Sequence, residues 1–561
     1  MASGVDQQRI EKQIEQLSHL TVVKLKNILK KYSLKTSGLK GSLISRIIDN
    51  VSIDDIATIL QSDDHEISSA DSTSKTISKT TSKTTPHTIL PKRWTLDDKQ
   101  IEKLWIDEQY AEYRDIIKAI LENKIDSINI VRYGRYPIPV NTFNTLIKLL
   151  YINTSIKHIR ISNSTLSNES GAILGNMLIH NQIKTLTLTH CNHTNASYLN
   201  PWLEPFGDSL LNNMSLEYLE MGHCSLVDNL YLCNGLERNT SIKTLKYRTN
   251  DIGNSFEKRF NKVLLHNNTI TSLMLIDNLN KNSVVHLVDG CVANKTIRKL
   301  YIENYKLSND DVNRLTYIFN LNHTIDNITL IYGGSEISTW RSLVDVLSKK
   351  HLRHLAIRFP TPSDADIVYF TDHFKNSNLE SLQIGWVISS NGIKYLTNVL
   401  LDNNEYIRRL NLSDNYISND NIENICRVLI KHKRILNINF NRTYMENIEN
   451  PIFDLIRENF VEKLNISSNR LGEAMVAGLG DALMNNDTLT NLNISYTDLN
   501  NAMAMDMLRG LQYNTTLRSL GIERNNIDPE ILKKINDIVH KNNINYRLLS
   551  TSLTAQLIKI L

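Results

Sequence analysis

Cysteine is scarce in this 561-residue chain: there are five, and no CxxC pair among them. Cys191, Cys224, Cys233, Cys291 and Cys426 are odd in number, which speaks against a disulfide framework and for reduced thiols in a nuclear or cytosolic protein. Proline (10) and glycine (20) are few, and with 41% apolar residues the chain reads as folded and soluble, not as a low-complexity polymer. No apolar run approaches the ~18 residues of a membrane span, and no apolar h-region stands near residue 1, so neither a membrane partner nor a secretory signal is expected. An excess of one charge is missing too. Lys plus Arg number 63 and Asp plus Glu 59, a net charge of +4 that does not announce a nucleic-acid binder along the whole length. No GxxxxGK[ST] loop, Ser/His/Asp or Cys/His arrangement, or carboxylate pair at fixed spacing rises above chance. The chain is therefore expected to be no enzyme and to hold no cofactor or metal.

What is present is one repeated phrase. Residues 489–499 read LTNLNISYTDL, residues 461–471 read VEKLNISSNRL and residues 407–417 read IRRLNLSDNYI. Apolar residues fill places one, four, six and eleven, and a small polar residue fills place nine. Two alternating apolar residues turn one face of a short strand into a core. An inward Asn, Cys or Thr at place nine can serve backbone groups that no strand ladder satisfies. This LxxLxLxxN/CxL signature resembles the leucine-rich-repeat family of the long, ribonuclease-inhibitor-like kind. Starts fall at Ile125, Ile156, Ile183, Leu216, Ile242, Ile270, Ile297, Ile325, Leu352, Leu379, Ile407, Ile435, Val461, Leu489, Leu517 and Ile544, mostly 26 to 28 residues apart. The resemblance implies an α/β solenoid over residues 125–561, about sixteen repeats in a horseshoe with parallel strands inside and helices outside. One repeat cannot bury its own apolar edge, so copies must stack. Place nine is Cys191, Cys224, Asn250, Asn278, Asn415, Thr443, Asn469, Thr497 and Asn525, and it fails at Pro360 and Val387, where irregularity and an exposed Trp386 are expected.

Charge is concentrated near residue 1. Residues 1–51 hold nine Lys/Arg against four Asp/Glu. Residues 20–47 read LTVVKLKNILKKYSLKTSGLKGSLISRI, with Val22, Leu25 and Leu29 on one helical stripe and Leu39, Leu43 and Ile47 on another. Seven basic residues and no acidic one lie in this span. Leu20, Val22, Leu25-Lys26, Leu29, Leu34, Gly38, Lys40, Leu43, Ile44 and Arg46 resemble the SAP motif, a small helix-turn-helix-like module of chromatin proteins. Lys24 and Ser33 depart from its usual acidic residue and glycine. The resemblance implies DNA or RNA binding, and the residues expected to carry it are Lys26, Lys30, Lys35, Ser37, Gly38, Lys40, Gly41, Ser42 and Arg46. Backbone N–H groups opening the second helix suit a phosphate. The domains then read as a tail (1–19), a SAP-like domain (20–51), a disordered Ser/Thr/Lys-rich linker (52–93) open to phosphorylation, a helical cap (94–124) and the repeats (125–561).

Solenoids bind on the strand face. Arg160, Lys246, Arg248, Tyr301, Arg358, Trp386, Arg442, Tyr496 and Arg524 are the candidate protein anchors, being of the types that most often carry interfaces. Successive Asn411, Asn439, Asn465 and Asn493 read chiefly as a ladder bonded to water and to one another. His190-Cys191 and His223-Cys224 could in principle make a zinc site, but the cysteines fall at the inward place nine and the histidines at the rim. Asn-x-Ser/Thr triplets are frequent and read as a consequence of asparagine-rich composition, not as glycosylation sites. The function implied is a nuclear interaction protein, its SAP-like module on nucleic acid and its horseshoe on an unidentified protein. The alternatives are a cytoplasmic protein-binding scaffold and a small-GTPase regulator resembling Ran GTPase-activating proteins, whose acidic tail this sequence does not show.

Overall fold

Alternation of apolar residues at period two dictates strands, and the structure, a computed structural model, gives fifteen of them. It describes Leu96 and residues 98–560 except 133–135, 194–201, 225–229, 249–253, 277–286, 305–306, 332–338, 359–361, 386–387 and 447–449, and 472–477; before these it describes Ile28, Leu29, Tyr32 and Ile47. The chain divides into two units, Met1–Thr88 and Ile89–Leu561.

In the second unit β1 (Ser127–Val131), β2 (His158–Leu166), β3 (Thr185–His193), β4 (Tyr218–Gly222) and β5 (Thr244–Arg248) lie side by side in chain order. They continue through β6 (Ser272–Ile276), β7 (Lys299–Glu303), β8 (Asn327–Ile331), β9 (His354–Arg358) and β10 (Ser381–Gly385). Three-residue strands complete the sheet: β11 (Arg409–Asn411), β12 (Asn437–Asn439), β13 (Lys463–Asn465), β14 (Asn491–Asn493) and β15 (Ser519–Gly521). Every pairing is parallel, and the sheet is open. Parallel strands need a crossover, and helices supply it. Strand residues such as Ile161, Leu188 and Leu219 share one core with helix residues such as Leu146, Leu174 and Phe206, all fully buried. Burying one such side chain contributes ~1.5–3 kcal/mol. The architecture is a leucine-rich-repeat-like solenoid.

A second ladder ties the repeats together on the approach to each strand. Asn322 is 1% exposed. Its Nδ2 donates to the carbonyls of Cys291 (2.7 Å) and Asn294 (3.0 Å), and its Oδ1 accepts from the N–H groups of Thr324 and Ile325 (both 2.9 Å). Asn239, Asn267, Asn294 and Asn514 repeat the arrangement one repeat apart. A Ser or Thr two residues on bonds back into it, as Thr296 and Thr324 do. The frequency of Asn-x-Ser/Thr triplets is therefore corrected: eight of them, at Asn153, Asn213, Asn239, Asn267, Asn294, Asn322, Asn486 and Asn514, are buried rungs in register and not a drift of composition. After Asn322 the rung is a lysine. Lys350 Nζ donates to the carbonyls of Phe319 (3.0 Å) and Asn322, and burial pulls its pKa down.

Place nine behaves as the sequence suggests wherever it is described. Asn469 Nδ2 donates to the carbonyls of Phe440 and Ile466 (2.8 and 2.9 Å), while its Oδ1 accepts from Thr443 and Met445 N–H. Asn525 does the same two repeats later. The residue before it is left-handed: Asn163, His190, His223, Asp414, Arg442, Ser468, Tyr496 and Arg524 all have φ between 51° and 61°. That reversal turns place nine inward and place eight outward. Pro360, Val387 and Trp386 lie outside the described residues, and β9 and β10 beside them keep full register with each other.

Ahead of β1, helices Asp98–Ile106 and Arg114–Glu122 flank a 3₁₀ turn, Glu108–Tyr113. Leu104, Tyr110, Tyr113, Ile117 and Ile120 bury into the same core as Phe143 and Leu146, and the Tyr110 hydroxyl meets Thr145 Oγ1 at 3.1 Å. At the far end one expectation is corrected. The sixteenth repeat, placed at Ile544, is no repeat: Ile544 lies within a helix, Pro529–Ile560. Ile535 and Val539 bury at helical spacing, and Asn542 donates to Asn514 and Leu517 carbonyls as the last rung. A final strand would expose an unpaired edge, whereas a helix satisfies its own backbone.

Candidate protein-binding face and nucleic-acid module

Residues between the buried strand positions form the open face of the sheet, and register lines them into rows. One row runs Ser127, His158, Thr185, Tyr218, Thr244, Ser272, Lys299, Asn327, His354, Ser381, Arg409, Asn437, Lys463, Asn491, Ser519, with no carboxylate in it. The next row holds Glu220 as its one carboxylate, on β4, and runs through Asn411, Asn439, Asn465 and Asn493 on β11 to β14 to Gly521 on β15. These four do not bond to one another. Each Oδ1 accepts the backbone N–H two residues on, from Ser413 (2.9 Å), Asn441 (2.9 Å), Ser467 (3.1 Å) and Ser495 (3.0 Å). A backbone N–H can only donate, so the oxygen is fixed inward and the Nδ2 is left facing outward. The same local bond takes the N–H that a longer strand would have used, which is why these strands stop at three residues.

The anchors expected on this face do not converge. Arg160 stands exposed on β2. Lys246 and Arg248 both turn to Glu220, at 3.0 and 3.9 Å, and Tyr218 Oη donates to the same carboxylate at 2.9 Å. Burial, then that carboxylate, raises the Tyr218 pKa. Tyr301 donates to Glu303 at 2.6 Å. Arg358 (2.6 Å) and Arg442 (3.4 Å) share Asp414. Tyr496 and Arg524 are exposed at the end of the array. Tyr416 and Tyr444 stand near them, 66% and 59% exposed with rings 5.6 Å apart, and were not singled out by sequence although they occupy place ten of consecutive repeats.

Over β9 to β15 the open face forms a basin of about 630 Å³ lined by His354, Gln383, Arg409, Lys463 and the four asparagines. Arg409 lies 3.9 Å from Glu380, which Arg353 already engages at 3.0 Å. Burial, then the charges of Arg409 and Lys299, pushes the His354 pKa down, so this imidazole is neutral at pH 7. Arg409 and Lys463 fill place three of the phrase, and that position was the signal for them. His190 and His223 stack at 4.3 Å on the rim while Cys191 and Cys224 are fully buried, so thiols and imidazoles part to opposite sides of the backbone. Among the described residues no group of three or more His, Cys, Asp or Glu could hold a metal ion, and no helix is long and apolar enough to cross a membrane.

In the first unit Ile28, Leu29 and Ile47 are buried, and Tyr32 N–H donates to the Ile28 carbonyl at 3.3 Å, as in a helical turn. Residues 16–51 match the SAP domain. Lys26, Lys30, Lys35, Ser37, Gly38, Lys40, Gly41, Ser42 and Arg46 all fall within that SAP domain and lie outside the described residues, as does the linker. The solenoid is similar to two solved structures. One is the tropomodulin C-terminal domain of Caenorhabditis elegans, 17% identical over 28% of this chain and 98% of that one, with a TM-score of 0.25. The other is the yeast Rad7–Elc1 complex, 13% identical over 77% of this chain and 88% of the matched one, with a TM-score of 0.38. No curated protein matches.

Proposed function

We propose that this protein is a non-enzymatic nuclear adaptor: the SAP domain holds DNA or RNA, and the open strand face of the horseshoe holds a protein. The observation that carries the reading is the SAP match over residues 16–51, within which residues 20–47 hold seven basic side chains and no acidic one. A module of this size with few phosphate contacts binds with steep salt dependence and little base readout. The repeats add a polar face long enough for a protein partner, on a scaffold whose helices cover the other side of the sheet.

The test is fluorescence anisotropy of the full chain with AT-rich duplex, random duplex and single strands at low and physiological salt. Binding should weaken steeply with salt and fall in Lys35→Glu/Lys40→Glu protein, the loss being similar for every sequence because phosphate contacts carry no sequence information. Absence of binding at low salt would overturn the nucleic-acid half and leave a protein-binding scaffold. For the other half, cross-linking and mass spectrometry in nuclear extract should place a partner on open-face residues. Cross-links confined to residues 1–88 would overturn it.

A further inference from the structure

We propose that the basin over β10 to β14 binds an extended acidic peptide, its carboxylates and main-chain carbonyls taken by the outward amides of Asn411, Asn439, Asn465 and Asn493 and by Arg409 and Lys463. The proposal rests on the reading that the solenoid binds a protein, and it names the chemistry of that partner.

Three features of the basin agree. Its four ladder asparagines present donors outward: each of the four oxygens accepts one of the chain's own N–H groups, and among the described residues none of the four Nδ2 groups donates to a protein acceptor. In-register parallel strands put such donors roughly 4.8 Å apart, a spacing that an extended chain with acceptors along it can follow. Its charge is mostly of one sign: among the described residues Glu523, which accepts from Ser495 Oγ at 2.6 Å, is the one carboxylate lining it, against Arg409, 53% exposed, and Lys463, exposed and in no ion pair. It offers a single-stranded nucleic acid little to stack on: Gln383, Asn411, Asn437, Asn439, Asn465 and Asn491 carry no aromatic ring, and the His354 imidazole on β9 is the one ring in the lining among the described residues. Acceptor-rich, anionic and without need of stacking describes a peptide rich in Asp and Glu.

The decisive variant is Asn439→Asp/Asn465→Asp. An aspartate oxygen still accepts the N–H of Asn441 or Ser467, so the local turn is kept, while the outward donor becomes an acceptor. The full chain and this variant would be titrated by anisotropy with a labelled peptide of alternating Glu and Gly, its Gln-for-Glu counterpart and a single-stranded oligonucleotide. The wild type should prefer the Glu peptide over the Gln peptide by about tenfold or more, each charge-assisted bond accounting for a factor of that order. The variant should lose that preference while its melting temperature stays within a few degrees and its oligonucleotide binding, carried by the SAP domain, is unchanged. Equal binding of Glu and Gln peptides, or a preference that survives in the variant, overturns the proposal. Loss of oligonucleotide binding in the variant with peptide binding intact overturns it in favour of a nucleic-acid groove. If the peptide fails while cross-links still map to the open face, the acidic assignment alone falls; if both fail, the protein-binding reading falls with it.

Discussion

At Asn322 a single amide serves four backbone partners, and the cost of losing it follows from that count. Asn322→Ala removes two donors and one shared acceptor from a site that water does not reach. Leaving those backbone groups unpaired should cost ~2–4 kcal/mol, seen as a lowered denaturation midpoint, whereas alanine at exposed Asn192 should change it little. Lys350 is the opposite case. Its ammonium makes the two carbonyl bonds of a rung but cannot accept an N–H, and burial lowers its pKa. A base whose folded pKa is depressed penalises the folded state while both states are charged. That penalty fades as pH rises from the folded pKa toward the unfolded 10.5, because the unfolded chain then binds more protons. Urea melts of wild type and Lys350→Met should therefore diverge least at high pH. A gap that stays constant across that window would show that the lysine is not titrating as a buried group.

Between neighbouring elements, close approach decides which residues are allowed. Helices Leu479–Met484 and Asn501–Leu511 touch where Gly480 and Gly510 face each other: a Cβ on Gly510 would lie 2.0 Å from the Gly480 carbonyl oxygen, and one on Gly480 would lie 2.2 Å from that of Asp506. Gly510→Ala should destabilise by ~1–3 kcal/mol as the helices are forced apart, measurable as a shift in thermal midpoint. If the shift is absent, the helices do not pack as described. Removal of residues 529–561 should uncover β15 and the rung carbonyls of Asn514 and Leu517, giving a chain that self-associates in sedimentation. Element type was legible because place four and place six of the phrase can only alternate, and twelve of the fourteen intervals from Ile125 to Leu517 fall at 26 to 28 residues, which leaves no other fold. The sixteenth start at Ile544 misled because Ile, Leu and Asn spaced for a strand also suit a helix, and the helix Pro529–Ile560 runs through it. The rungs were visible as Asn-x-Ser/Thr three residues ahead of place one, yet triplets of that kind carry a stronger familiar meaning that hid their register. Of the binding face, position was readable and availability was not. Lys246, Arg248 and Arg358 have the right residue type, but their charge is answered by Glu220 one repeat back and Asp414 two repeats on, which only the structure reveals.

Across the whole molecule, every strand bonds only to the strand before and the strand after, and every buried Asn rung reaches back one repeat. Beyond these nearest-neighbour ties, the Arg358–Asp414 ion pair reaches across two repeats, from β9 to the turn after β11. Tension applied between the two ends of the array would thus act on one seam at a time, opening it as a zipper opens. Each released repeat pays out 26 to 28 residues of chain, which at ~3.5 Å per residue is roughly 9–10 nm of new length. Stretched in an optical trap, the protein should lengthen as a staircase of nearly equal steps at low force, with the seam at Lys350, where one rung is an ammonium, among the first to yield. A leash that gives by measured increments, and closes again when the pull relaxes, is what such a chain would be between a nucleic acid and whatever its strand face holds.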